Sequence, residues 1–318
     1  MYSTLLIVLV RSIPVSKILL RLLWIAALSS SLSCQQQEDE KSQQNLTPFI
    51  DKPALTFLVH PYDTPSQLIT RFQPLCDYLE KQLGQPVKLQ LASSYVDQIK
   101  RISNSSADLA YIGPTPFLRA QDNYLKGNDQ RLTALAAEAT DGQTGYHSVI
   151  VVSSHSEITS IEDLRGHSVA FGAPHSFGSH YVPRTMLSAS GLGLRDLRDY
   201  AYLGSHERVA LAVLHGDFDA GGLRQAVANK YAQRTPGLKI IATSPPLPPH
   251  LIVARPGLNE KLMNQISSAL LTPTTDLVEV TLALGHGIYF IKPDLSLFLS
   301  ARQVVKAIET RTEVPAQW

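Results

Sequence analysis

From residue 55 onward the chain switches repeatedly between two hydrophobic periods. Short apolar runs rich in Val, Ile, Leu, Phe and Tyr, at 55–59, 87–91, 108–112, 132–137 and 148–152, read as strands. Between them apolar residues recur every three or four positions, as in Ile69, Phe72, Cys76, Leu79 and Leu83, and read as helices. The first helix carries its own punctuation. Thr64 stands as N-cap, Pro65 at the first helical position, Gln67 completes a capping box, and Gly84 stops it, while Pro74 should kink it. A second series follows: strands at 168–171, 200–203, 218–221 and 238–242 alternate with helices at 181–189, 206–214 and 223–231. After a strand at 251–254 the pattern turns helical, near 259–270, 275–284 and 295–310. Repeated strand–helix alternation predicts an α/β fold with mostly parallel sheets flanked by helices.

The extended segments at 148–152 and 251–254 bracket a block of roughly one hundred residues. This predicts two lobes joined by two crossover segments, with a ligand cleft between them. The expected division is 51–147 plus 252–318 for a discontinuous first lobe and 148–251 for the second. Before them, Arg11, Lys17 and Arg21 precede an apolar stretch at 22–28, then small residues and Cys34. That order is a secretory signal over 1–34, and Cys34 after Leu-Ser resembles a bacterial lipobox, which predicts lipidation there and attachment to a membrane. The three charges leave no run of ~18 uninterrupted apolar residues. The polar stretch at 35–50 reads as a tether.

Charge and cysteines narrow the classes. Without the first 34 residues, 25 basic and 27 acidic residues remain. This balance offers no basic footprint for nucleic acid. Cys76 falls on an apolar helix face, a place for a small buried hydrophobe, and no CxxC cluster exists. No metal and no cofactor are expected, and neither HExxH nor a helical His pair at i,i+4 occurs.

Three strand-to-helix turns carry candidate chemistry: 113–116 with Thr115, 176–179 with Ser176 and Ser179, and 204–207 with His206. Hydroxyls and unpaired N–H groups at helix starts, beyond the carboxyl ends of strands, can hold an oxyanion without a formal cation. The same residues serve as ordinary N-caps. Pro174-His175-Ser176-Phe177-Gly178 also approaches the G-x-S-x-G nucleophile elbow, with Pro in place of the first Gly. His60, His180 and His206 adjoin strand ends where a ligand could be met, and Tyr62 and Tyr111 are similarly placed.

At these residues the chain resembles the periplasmic substrate-binding proteins of phosphonate/phosphite/phosphate-type ABC transporters. The resemblance runs from about residue 55 to 302. It rests on Phe72-Gln73-Pro74-Leu75, Asp108-Leu109-Ala110-Tyr111-Ile112-Gly113-Pro114, Gly204-Ser205-His206-Glu207, Asp217-Phe218-Asp219-Ala220-Gly221 and Gly287-Ile288-Tyr289-Phe290. It implies the two-lobed type II binding-protein fold, a small phosphorus oxyanion as ligand, and a monomer that serves an ABC permease or a membrane sensor protein. It assigns ligand contacts to Tyr62, Tyr111, Thr115, Ser176, Ser179 and His206, and His180, from its place beside the turn, joins them as a candidate. The family's Ser-Thr-Ser-Gly turn is here Ser176-Phe177-Gly178-Ser179, so Phe177 replaces a hydroxyl donor. A binding protein, not an enzyme, is expected. A sensing module, and a hydrolase or biosynthetic enzyme on the same scaffold using Ser176, are the alternatives.

Overall fold

The computed structural model describes residues 52–125 and 131–311; the expected signal with Cys34, and the tether, lie outside them. The chain opens with β1 (Leu55–Val59), α1 (Pro65–Leu83), β2 (Val87–Leu91), α2 (Tyr95–Ser103), β3 (Leu109–Ile112), α3 (Pro114–Leu125), β4 (Thr133–Thr140) and β5 (Gln143–Thr144). The middle block holds β6 (Ser148–Ser153), β7 (Ser168–Phe171), α4 (Val182–Ala189), β8 (Asp199–Tyr202), α5 (His206–His215), β9 (Ala220–Arg224), α6 (Gln225–Ala232) and β10 (Leu238–Thr243). It closes with β11 (Leu251–Ala254), α7 (Glu260–Leu271), α8 (Thr275–Leu284), β12 (Ile288–Ile291) and α9 (Phe298–Glu309).

Two sheets result. The first has the order β12-β4-β11-β3-β1-β2, with β5 on β4, and the second the order β10-β6-β9-β7-β8. The expectation of mostly parallel sheets holds for β1 with β2 and β3, and for β7 with β8 and β9. The remaining pairs are antiparallel, so each sheet is mixed. The reason is connectivity. Strands joined through a covering helix run parallel, whereas strands joined by a hairpin or re-entering from the other sheet can run against their neighbours. The sequence pattern offers no strand at β5 or β12, since runs of two and four residues beside turn glycines are too short to carry a period.

The chain leaves the first sheet through 145–147 and returns through 244–250. These crossovers pair with each other: Leu247 N–H donates to the Tyr146 carbonyl (2.8 Å) and Tyr146 N–H to the Leu247 carbonyl (3.3 Å). Gly145, at φ 99°, is required here because a Cβ would strike the Leu247 carbonyl oxygen.

Helix α1 shows how local signals act. Thr64 accepts from Gln67 N–H, Gly84 closes the end at φ 57°, and Leu68, Phe72, Leu75, Cys76, Leu79 and Leu83 bury one face. The helix continues through Pro74. That residue's missing N–H costs one ladder bond, which the buried apolar face offsets. A second apolar cluster holds the sheets together. Phe177, Tyr181 and Val182, from the middle block, are buried among Leu58, Ile112, Phe117 and Phe298 of the first.

Candidate functional site

Residues at or just beyond the carboxyl ends of β1, β3, β7, β8 and β9 come together, at the place where open α/β sheets meet ligands. They enclose a cavity of about 350 Å³ lined by His60, Tyr62, Tyr95, Tyr146, Ser176, Phe177, His206, Arg224 and His250 among others. Its walls are aromatic. The rings of His60, Tyr111 and His250 stack within 5.0–6.1 Å and 1–6° of parallel.

The turn after β7 is wider than an ordinary helix start. His180 N–H (3.2 Å) and Tyr181 N–H (3.3 Å) both donate to the Ser176 carbonyl. A turn of this width inside a helix is a local adjustment often met at functional sites. Ser176 Oγ accepts from Ser179 N–H at 3.3 Å, and its hydroxyl lies near Tyr95 of α2. Gly178 gives its carbonyl to the Ser148 hydroxyl (2.7 Å) and lies against Tyr146, where a Cβ would come within 2.8 Å of the ring. Phe177 is buried in the shared apolar cluster while bounding the cavity. It closes a wall.

Of the residues singled out in the sequence, His60, Tyr62, Ser176 and His206 line the cavity. Tyr111 is buried beside it, its hydroxyl donating to Glu138. Thr115 and Ser179 are buried with hydroxyls that meet no partner among the described residues, and neither is among the cavity-lining residues. His180 is also outside that lining, and both ring nitrogens are committed. Nδ1–H donates to the Pro174 carbonyl and Nε2 accepts from the Tyr202 hydroxyl at 2.9 Å. Burial lowers its pKa to about 3, so it stays neutral and ties the turn to β8.

Hydrogen bonding decides what the cavity imidazoles present. Arg224 N–H donates to His206 Nδ1 (3.0 Å), so the neutral ring carries its proton on Nε2. His60 Nδ1 faces the Tyr111 carbonyl at 3.3 Å, which can only accept, so its Nε2 is left as a lone pair. Burial, with the Arg224 charge nearby, lowers His60 to about 4 and His206 to about 3. His250 is lowered by the same causes. One ring donates and one accepts, and none is charged near neutral pH.

The sequence reading assigned ligand holding to neutral donors alone and missed the cation. Arg224 Nη2 donates to Glu138 Oε1 at 2.6 Å, the guanidinium lies 4.8 Å over the Tyr146 ring, and the side chain lines the cavity. Burial opposes its charge, but Glu138, Tyr111 and Tyr146 outweigh that and hold its pKa above the usual value. Tyr95, Glu138, Tyr146 and His250 were missed as well. Arg224 does follow the 217–221 motif by three residues, at the end of β9, and His250 directly precedes a strand, but neither position advertises a partner from another segment.

A model of the ABC-transporter phosphonate periplasmic substrate-binding proteins matches residues 57–288. The chain belongs to this family. Among curated relatives it is 29% identical over 177 residues to the phosphate-import protein PhnD of Mycolicibacterium smegmatis, covering 52% of this chain and 54% of that one. It is 28% identical over 222 residues to the phosphonates-binding periplasmic protein of Escherichia coli, covering 67% and 64%. The chain thus spans between half and two-thirds of the length of these relatives. The PhnD1 structure from Prochlorococcus marinus, in complex with methylphosphonate, aligns with a TM-score of 0.71 at 19% identity, over 81% of this chain and 99% of that one. That likeness shows the two-lobed type II fold for this phosphonate-binding family member.

Proposed function

We propose that this chain captures a small phosphorus oxyanion (phosphonate, phosphite or phosphate) between its lobes and delivers it, as a monomer, to an ABC permease. The observation that carries the reading is the cavity itself. At the carboxyl ends of strands from both sheets it gathers a guanidinium, an imidazole N–H and hydroxyls from different chain segments. Hydrogen bonds to an ionised ligand in a dry cleft are stronger than neutral ones. The names of the relatives agree with this ligand class. Binding without turnover is supported by Ser176, whose Oγ caps the turn by accepting from Ser179 N–H. The two lobes, expected as 51–147 with 252–318 and as 148–251, meet at the paired crossovers 145–147 and 244–250, and closure hinged there seals the ligand. A lipid on Cys34 holds the protein at the periplasmic face of a membrane.

The test is a thermal-shift screen with phosphate, phosphite, methylphosphonate, aminoethylphosphonate and sulfate. A ligand at 100 times its Kd adds about 2.7 kcal/mol of stability, and Arg224→Met should abolish the shift. If no phosphorus oxyanion moves the melting point, the reading fails. Intact-mass measurement of membrane-extracted protein checks the lipid.

A further inference from the structure

Every cation that lines the cavity already has a carboxylate. Arg71 meets Asp63 at 3.2 Å, Lys230 meets Glu207 at 2.9 Å, and Arg224 meets Glu138 at 2.6 Å. The innermost pair is the most enclosed, Glu138 having 5% of its side chain exposed and Arg224 20%. Glu138 uses one guanidinium nitrogen, and its other oxygen receives the Tyr111 hydroxyl. Arg224 therefore keeps N–H donors that Glu138 does not use, on a side chain bounding the cavity. Beside it stand a donor, His206 Nε2–H, and a bare acceptor, His60 Nε2.

Resting on the oxyanion reading above, we propose that the cleft selects its ligand in the singly charged, still-protonated form. Arg224 and His206 hold the charged oxygens, and His60 Nε2 receives the remaining P–OH proton. The electrostatics favour this choice. A doubly charged ligand would add two negative charges to a buried site whose cations are all compensated, and uncompensated buried charge is costly. It would also set an oxygen lone pair against the lone pair of His60. A monoanion halves the first cost and turns the second contact into a hydrogen bond.

The groups facing the Arg224–Glu138 pair do not change charge between pH 6 and 9. They are His60 from the end of β1, Tyr111 from β3, Tyr146 and His250 from the crossovers, and His206 from α5. Their pKa values are all displaced away from that window. Exposed His286 on the rim is controlled for by repeating the measurement in His286→Asn.

Calorimetric titration of the full chain with methylphosphonate between pH 6 and 9 reads the ionic form directly. The apparent Kd should rise about tenfold per pH unit once the ligand loses its second proton, because only the protonated fraction binds. Methanesulfonate has the same shape and single charge but lacks the proton, and should bind weaker at pH 6 by on the order of a hundredfold or more. Glu138→Gln leaves Arg224 uncompensated and should flatten the pH dependence. Affinity that is level or rises with pH in the native chain, or equal binding of methanesulfonate, overturns the proposal while leaving oxyanion capture intact. No binding of phosphate, phosphite or methylphosphonate at any pH overturns the underlying reading and this one with it.

Discussion

Arg224 at the end of β9 donates to Glu138 of β4 at 2.6 Å, joining the second sheet to the first across the candidate ligand cavity. Eighty-six positions separate the two residues in the chain. Arg224 bounds the cavity, and Glu138 behind it balances the guanidinium charge.

Removing one partner should be far worse than removing both. Glu138→Ala leaves a guanidinium buried without its carboxylate and should cost about 3–5 kcal/mol in urea unfolding. The double change Glu138→Leu with Arg224→Met should cost clearly less than Glu138→Ala alone. A double variant as unstable as the single one would show that packing, and not charge pairing, dominates there.

Adding one methyl at Gly178 presses on the Tyr146 ring at 2.8 Å and disturbs the turn after β7. Gly178→Ala should destabilise the fold by about 1–3 kcal/mol, the usual range for overpacking. It should also weaken oxyanion binding, since Ser176 moves with that turn. Denaturation and titration of the same sample separate the two effects.

Acid should weaken the protein through its buried imidazoles. His60 and His206 have folded pKa values of about 4 and about 3, below the unfolded 6.5. Below pH 6.5 the unfolded chain takes up protons that the folded one refuses. The stability is therefore complete above 6.5 and is lost as pH falls toward 4, on the order of a few kcal/mol per group. His60→Asn, which retains a donor toward the Tyr111 carbonyl, should reduce the slope of unfolding free energy between pH 6.5 and 4. An unchanged slope would remove His60 from this account.

Cys76 should resist alkylation while the protein is folded. Burial, aided by the charge of Asp77, pushes its thiol up to about 12, so almost no thiolate exists at pH 8. Peptide-level mass spectrometry after iodoacetamide should find Cys76 unmodified in buffer and modified in urea. Labelling in buffer would mean that α1 opens locally.

Local signals in the chain were sufficient for most elements. Hydrophobic period marked the strands and helices, and Thr64, Pro65 and Gly84 delimited α1 because caps and stops act within a few residues. The resemblance carried by residues 108–114 and 204–207 led to the type II fold, and cavity residues Tyr62, Ser176 and His206 were legible from their places at strand ends. Strand direction was not legible. A four-residue run such as β11 pairs by hydrogen bonds that depend on where the chain re-enters the sheet. Nor was the role of His180, because its partner Tyr202 meets it only after β7 and β8 lie side by side. The sequence by itself determined most of the strands, helices and caps, since those depend on neighbours within a turn or two. Only the tertiary structure decided the cavity's chemistry. Arg224, Glu138, His60 and His250 come from four separate segments, and a buried charge or imidazole takes its character from whatever folding brings against it.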